Sequence, residues 1–349
     1  MQANDTFSVD KNNFDLIRLL AALQVAISHA CSHLEFYSPA LEFLAVIPGV
    51  PVFFFVSGFL ISGSFHNSKM AQKPLANFFL KRVLRLYPAL LVVLVGSILS
   101  VYLTGYFAHE KVTISNFVRW VIAQSTFFQF YNPEFLRGYS TGVLNGSLWT
   151  ISVEIQFYIL TPFIFYLYEK RKKIFLALLF LFLLVNFGNS LINERYSFFE
   201  KVFHVSFIPH IYMFLLGVFC WHSRSLLNLV NRIPFPVLLA ALSLAYLSTN
   251  QIGWGNFINP IGFMALCAVI LKFAFCDNFK FARLIGRNDI SYGVYIIHMP
   301  VVNFLMYKQL FGYFGVILAI SSTVFLSFLL WFFIEKPFLK LKKHALRSI

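Results

Sequence analysis

Charge is scarce in this sequence. Asp, Glu, Lys and Arg make up 12% of its 349 residues, where an ordinary soluble domain carries about 25%. With 59% hydrophobic residues and a mean hydropathy of +0.73, that scarcity excludes a disordered chain and argues against a water-soluble globule. Acidic residues are the scarcer kind, 14 against 28 Lys and Arg, for a net charge of +14. A soluble protein so basic would raise nucleic acid as a partner. In a membrane protein the excess is ordinary, because Lys and Arg collect in cytoplasmic loops, and no nucleic-acid-binding motif is visible. The four cysteines, Cys31, Cys220, Cys267 and Cys276, sit in apolar segments without CxxC spacing or a Cys/His cluster. No disulfide framework follows, structural zinc is disfavoured, and buried free thiols are expected. The first apolar segment lacks the basic n-region and small-residue cleavage site of a signal peptide, so it reads as a retained helix. There is no Walker loop, GxSxG elbow or HExxH. No internal repeat is visible, which weakens an inverted-repeat transporter.

What is abundant is apolar length. A bilayer crossing needs about 20 mostly apolar residues. That ruler marks ten candidates: 14–35, 45–65, 83–105, 147–168, 173–190, 205–222, 234–250, 257–275, 290–308 and 313–334. A weaker stretch, 115–130, contains Arg119 and Gln124 and reads as interfacial or re-entrant. The basic residues check the count. Lys69, Lys73, Lys81, Arg82, Arg85, the EKRKK run at 169–173 and the basic end from Lys336 to Arg347 all fall on one side. Only Lys111, Arg119, Arg137, Arg195, Lys201 and Lys308 fall on the other. The expected fold is therefore all-α and polytopic, one bundle of ten transmembrane helices over 1–349 with both termini cytoplasmic. Its helical core is 14–334, followed by a basic tail, 335–349.

Ionisable groups inside hydrocarbon cost at least about 2.5–3.5 kcal/mol each and are functional candidates with partners to be named. In the first helix Arg18 and His29 are eleven residues apart, close to three turns, so both project from one face about 16 Å apart along the axis. His33 follows one turn on. Arg82 and Arg85 share a face at i and i+3, and two guanidinium forks suit a phosphate, though basic residues there also serve as topology anchors. Glu154 lies about two turns into SLWTISVEIQFYILTP, at the depth estimated for His29, and a His–Glu pair could orient an imidazole. Trp149 reads as an interface anchor. Ser291, Tyr295 and His298 recur on one face of DISYGVYIIHMP, with Pro300 loosening the helix. Ser57, Gly58, Ser62 and Gly63 suit close helix packing. Glu335-Lys336-Pro337 reads as a salt bridge and a helix stop.

Taken together these segments resemble the membrane acyltransferase-3 family across nearly the whole chain. The resemblance rests on Arg18-x10-His29, FFFVSGFLI at 53–61, Phe78-x3-Arg82-x2-Arg85-x2-Pro88, SLWTISVEIQFY at 147–158, SYGVYIIH at 291–298 and EKPF at 335–338. Only one carboxylate, Glu154, follows the SV pair where relatives often carry two. The resemblance is to the form without a C-terminal SGNH-type domain. It implies transfer of an acyl group, usually acetyl, from acetyl-CoA as co-substrate to a hydroxyl of an extracytoplasmic carbohydrate such as O-antigen or exopolysaccharide. It implies a location in the bacterial inner (cytoplasmic) membrane, with lipids and a carbohydrate or lipid-linked glycan as partners and no metal. It makes Arg18, Arg82 and Arg85 donor-binding and His29 the catalytic base or acyl carrier. Glu154 and His298 are candidates to orient His29, and Ser291, Tyr295 and Trp149 are candidate substrate or oxyanion contacts. Self-association is left open. The competing readings are a transporter or flippase of a lipid-linked glycan and an inactive sensor that kept the fold.

Overall fold

Long apolar runs with few helix breakers dictate the architecture. In the computed structural model, which describes residues 12–39, 41, 44, 47–191, 202–249, 253–254, 257–276 and 288–345, nearly everything is helical. The helices are α1 (Phe14–His33), α2 (Gly49–Met70), α3 (Leu75–Leu103), α4 (Tyr106–His109), α5 (Ile114–Gln124), α6 (Trp149–Lys170) and α7 (Lys172–Leu191). They continue as α8 (Ile211–His222), α9 (Arg224–Arg232), α10 (Phe235–Thr249), α11 (Pro260–Ala274), α12 (Ser291–Tyr307), α13 (Gly312–Leu330) and α14 (Lys336–Ala345). Gly253–Trp254 and Phe257–Ile258 form a two-residue antiparallel pair.

Among the described residues, five helical segments are long and apolar enough to cross a membrane. They are Phe14–His33, Gly49–Met70, Leu75–Leu103, Gly146–Lys170 and Gly312–Lys340, and a sixth arises if α8 and α9, which meet at 89°, make one broken span. The chain is thus a polytopic helical protein of membrane character. Of the crossing expected at 205–222, only Ile211–His222 is one helix, 12 residues long, and the 89° bend follows beyond its end. The helix expected from 83 starts at Leu75, behind Pro74, so Arg82 and Arg85 lie inside α3 rather than at its mouth. At 11 residues, α5 reaches only about 16 Å, half the hydrocarbon thickness, and it buries Trp120 while exposing Ile114 and Ile122. A surface-lying segment was expected there.

The core around the site is drawn tight by small residues. A Cβ on Gly58 would lie 2.1 Å from the Phe214 carbonyl oxygen, and one on Gly217 would lie 2.2 Å from that of Phe55. Backbones of α2 and α8 therefore touch where both helices carry glycine. Behind them α12 is buried from Ser291 through Pro300. Pro300 has no N–H to give the Ile296 carbonyl. The Asn145 side chain supplies one instead, at 2.8 Å. Asn303 does the complementary job, donating to the carbonyls of Val143 (3.0 Å) and Leu144 (2.9 Å). The connection from α5 to α6 is so strapped along α12.

The helix stop and salt bridge expected at 335–337 are corrected by the structure. The helix runs on through a π-turn, Trp331–Glu335, into α14. The Lys336 N–H closes that turn on the Trp331 carbonyl, five residues back. Glu335 is 2% exposed and neither carboxylate oxygen has a hydrogen-bond partner. Lys336 points instead to Asn288 (3.5 Å) and lies over the Phe332 ring. All four cysteines are free thiols, Cys220 and Cys267 fully buried.

Candidate active site

At one end of the bundle a single carboxylate gathers two of the expected cations. Arg18, on α1, donates through Nη1 to Asp289 Oδ2 at 2.6 Å. Arg85, on α3, donates to the same oxygen. The other oxygen, Oδ1, accepts from the Ser291 amide (3.1 Å) and the Ser291 hydroxyl, so Asp289 also holds the start of α12. Burial acts to raise the Asp289 pKa. The two guanidinium groups and the Ser291 bonds overcome it and hold the carboxyl well below the usual carboxylate range. Asp289 was not singled out in the sequence. Its only local signal is an Asp two residues ahead of a serine at a helix start, and nothing local announces partners more than 200 positions away.

Arg82 shares a face with Arg85 but faces different neighbours. Its Nη2 donates to Ser64 Oγ at 2.6 Å and its guanidinium stands over the rings of Phe78 and Tyr158. Its Nε is buried with no hydrogen-bond partner. Deeper in, Glu154 accepts from Ser57 Oγ (3.2 Å) and from the Tyr158 hydroxyl. Glu154 thus belongs to the arginine end: the structure does not bring it to His29, because α6 packs its Glu154 face on α2. Arg18, Ser57, Thr150, Glu154, Tyr292 and Tyr295 line a small cavity of about 30 Å³, room for one water-sized group.

At the far end of α1 sits an imidazole pair. His29 Nδ1 lies 2.9 Å from His298 Nε2, with ring centroids 5.1 Å apart. Protonation follows from what each nitrogen faces. His298 Nδ1 faces the Val294 carbonyl at 3.3 Å, which can only accept, so it carries the proton. In the neutral ring His298 Nε2 is then an acceptor, and His29 Nδ1 donates to it. That leaves the lone pair of His29 on Nε2, the tautomer a general base requires. His29 is only half-buried while His298 is enclosed. His33 extends the row, its ring 6.0 Å from His29.

The remaining candidates divide. Tyr295 stands between the two ends, its ring 5.8 Å from His298 and its hydroxyl 2.9 Å from that of Thr150. The Ser291 hydroxyl is committed to Asp289, two turns from His298. Trp149 packs on His210, ring centroids 5.2 Å apart, away from the histidine pair. Among the described residues no three His, Cys, Asp or Glu side chains converge to hold a metal ion.

A family model described as an acyltransferase domain matches residues 11–336. The chain belongs to the acyltransferase-3 family. Acyltransferase-3 relatives include Nodulation protein 10 of Rhizobium leguminosarum bv. viciae, 30% identical over 97% of this chain and 96% of that protein. An O-acetyl transferase of Shigella phage Sf6 is 28% identical over 94% of this chain and 96% of its own length. Peptidoglycan O-acetyltransferase OatA of Listeria monocytogenes is 24% identical over 94% of this chain but 56% of its own length. No solved structure matches. Family membership makes the chain an acyltransferase. In the structure α1 joins a cationic end, at Arg18, to an imidazole end, at His29.

Proposed function

We propose that this acyltransferase-3 protein moves an acyl group, acetyl in the first instance, from cytoplasmic acyl-CoA to a hydroxyl of an extracytoplasmic carbohydrate. The observation that carries the reading is the His29–His298 pair, with the His29 Nε2 lone pair claimed by no described residue, on the same helix as Arg18. The names of two relatives, each an O-acetyl transferase, support the group and the hydroxyl acceptor. The lopsided Lys and Arg distribution supports ten crossings with both termini cytoplasmic, the arginine end inside and His29 outside. The bacterial inner membrane is where donor and glycan could meet in this way.

In this reading Arg82, Arg85 and Arg18 hold the donor at the inner end and its arm threads between α1, α2 and α6. His29 Nε2 takes the proton of the sugar hydroxyl as its oxygen attacks the thioester carbonyl. The tetrahedral intermediate collapses, the C–S bond breaks, and the leaving thiolate takes the proton back from His29. Base catalysis of this kind contributes about 10²–10⁴-fold. Tyr295, one turn before His298, donates to the developing oxyanion. A transient acyl group on His29 would give the same products in two steps. The small volume beside Glu154 means that the arm's path opens on donor binding.

Mass spectrometry of the host's surface glycans tests the function. Deletion should remove one acyl mass from one glycan, the intact gene should restore it, and a His29→Ala copy should not. Loss or accumulation of a whole polymer with unchanged acylation would instead support the flippase reading.

A further inference from the structure

Where α8 ends at His222 and α9 turns away at 89°, the corner encloses a second and larger cavity, of about 340 Å³. That lies within the roughly 300–1,000 Å³ range of small-molecule sites. Its walls include the Trp221 indole and Phe275 ring, the cations Lys81 and Arg224, and the polar side chains of Ser64 and Asn67. Among the described residues no acidic side chain lines it, and Arg224 makes no ion pair. Among the described residues Lys81 Nζ donates to a neutral partner, Ser68 Oγ, at 3.1 Å. Two cations without a carboxylate, beside flat aromatic surface, match an anion that also carries a planar ring.

The cavity borders the arginine end of the candidate active site. Ser64, in its wall, accepts from Arg82 at 2.6 Å. Seven residues earlier on α2, about 10 Å along the axis, Ser57 lines the small cavity next to Glu154 and Tyr295. The indole is held in place from two sides. The ring of His66 lies tilted against it with centroids 5.1 Å apart, and a Cβ on Gly63 would meet Trp221 Nε1 at 2.9 Å. A ring fixed before binding loses little freedom on contact.

We propose that this cavity is the subsite for the nucleotide head of the acyl donor, with adenine against Trp221 and the phosphates on Lys81 and Arg224. The assignment rests on acyl-CoA being the donor, and it divides the basic residues into two jobs. Lys81 and Arg224 hold the head at the bundle's edge, and Arg82 meets the arm where it enters. An anionic lipid headgroup shares the phosphate chemistry but leaves the aromatic wall without a purpose.

The test is calorimetric binding to the full chain purified in neutral detergent, using CoA, adenosine 3′,5′-bisphosphate and pantetheine as probes. CoA should bind at least ~10-fold more tightly than pantetheine, and the bisphosphate alone should bind, since stacking and phosphate pairing are each worth about tenfold or more. Trp221→Ala, and Lys81→Ala combined with Arg224→Ala, should each weaken CoA and the bisphosphate at least ~10-fold, while Trp221→Phe keeps most of the affinity. Equal binding of CoA and pantetheine to the wild-type chain overturns the proposal without any variant. So does wild-type CoA affinity in the Trp221 and Lys81/Arg224 variants. Bisphosphate binding that vanishes in phosphatidylglycerol nanodiscs but persists in phosphatidylcholine ones would make the cavity a lipid site, which also overturns it. Failure of acetyl transfer with intact, Trp221-dependent CoA binding would instead strike the transfer reading alone.

Discussion

In the proposed reaction His298 acts through a single proton. By accepting the Nδ1–H of His29 it would leave His29 Nε2 to face the hydroxyl. His298→Ala should lower kcat by about 10²-fold or more and leave the KM for acyl-CoA near its wild-type value. His298→Gln, whose carbonyl oxygen can still accept, should recover part of the loss. Equal losses in both variants would reduce His298 to packing. Asp289 makes a different case, because removing one member of a buried ionic cluster leaves the others uncompensated. Asp289→Asn should destabilise the protein by about 3–5 kcal/mol, read as a fall in thermal midpoint in detergent. Its folded pKa is depressed, so its stabilisation is complete above the ordinary carboxylate range and fades only as pH falls through the lowered value. At this scale Arg18, His29 and His298 were legible in sequence because ionisable side chains in apolar runs are conspicuous. Asp289 was not, since it lies at a helix end where acids are common. Glu154 was assigned the wrong neighbour because depth along a helix does not reveal which face meets which helix.

Helices place these groups through contacts that tolerate little change. Gly58→Val would drive a branched side chain into the Phe214 backbone, and Gly217→Val would do the same at Phe55. Either should abolish detectable folded protein or acylation, whereas Gly96→Ala, where a Cβ meets nothing within 4 Å, should leave both unchanged. Asn145→Ala leaves the Ile296 carbonyl unpaired one turn from Pro300. The expected cost is about 1–3 kcal/mol, with kcat falling as α12 loosens around His298. The apolar runs revealed most of these helices, and glycine in α2 marked the tight packing there. The sequence marked the end of a crossing at 222, where apolar α8 gives way to polar, amphipathic α9, but not the 89° corner that follows, nor the π-turn at Trp331–Glu335.

As a whole the molecule separates cations from imidazoles along α1. Arg18, Arg82 and Arg85 gather at one end and the His29–His298 pair sits toward the other, with Tyr295 and a cavity too small for an acyl arm between them. Such an arrangement suits a donor and an acceptor that approach from opposite sides of a membrane. Arg82→Ala should raise the KM for acyl-CoA at least ~10-fold, the loss expected for a charge-assisted hydrogen bond to the donor, and change acceptor KM little. An unchanged donor KM would leave Arg82 a topology anchor. The decisive measurement is acetyl transfer in proteoliposomes, with labelled acetyl-CoA on the arginine side and a glycan acceptor on the His29 side. The wild-type protein should label the glycan across the bilayer, and His29→Ala, still binding CoA, should fall by at least ~10²-fold. Wild-type labelling by His29→Ala would contradict the account.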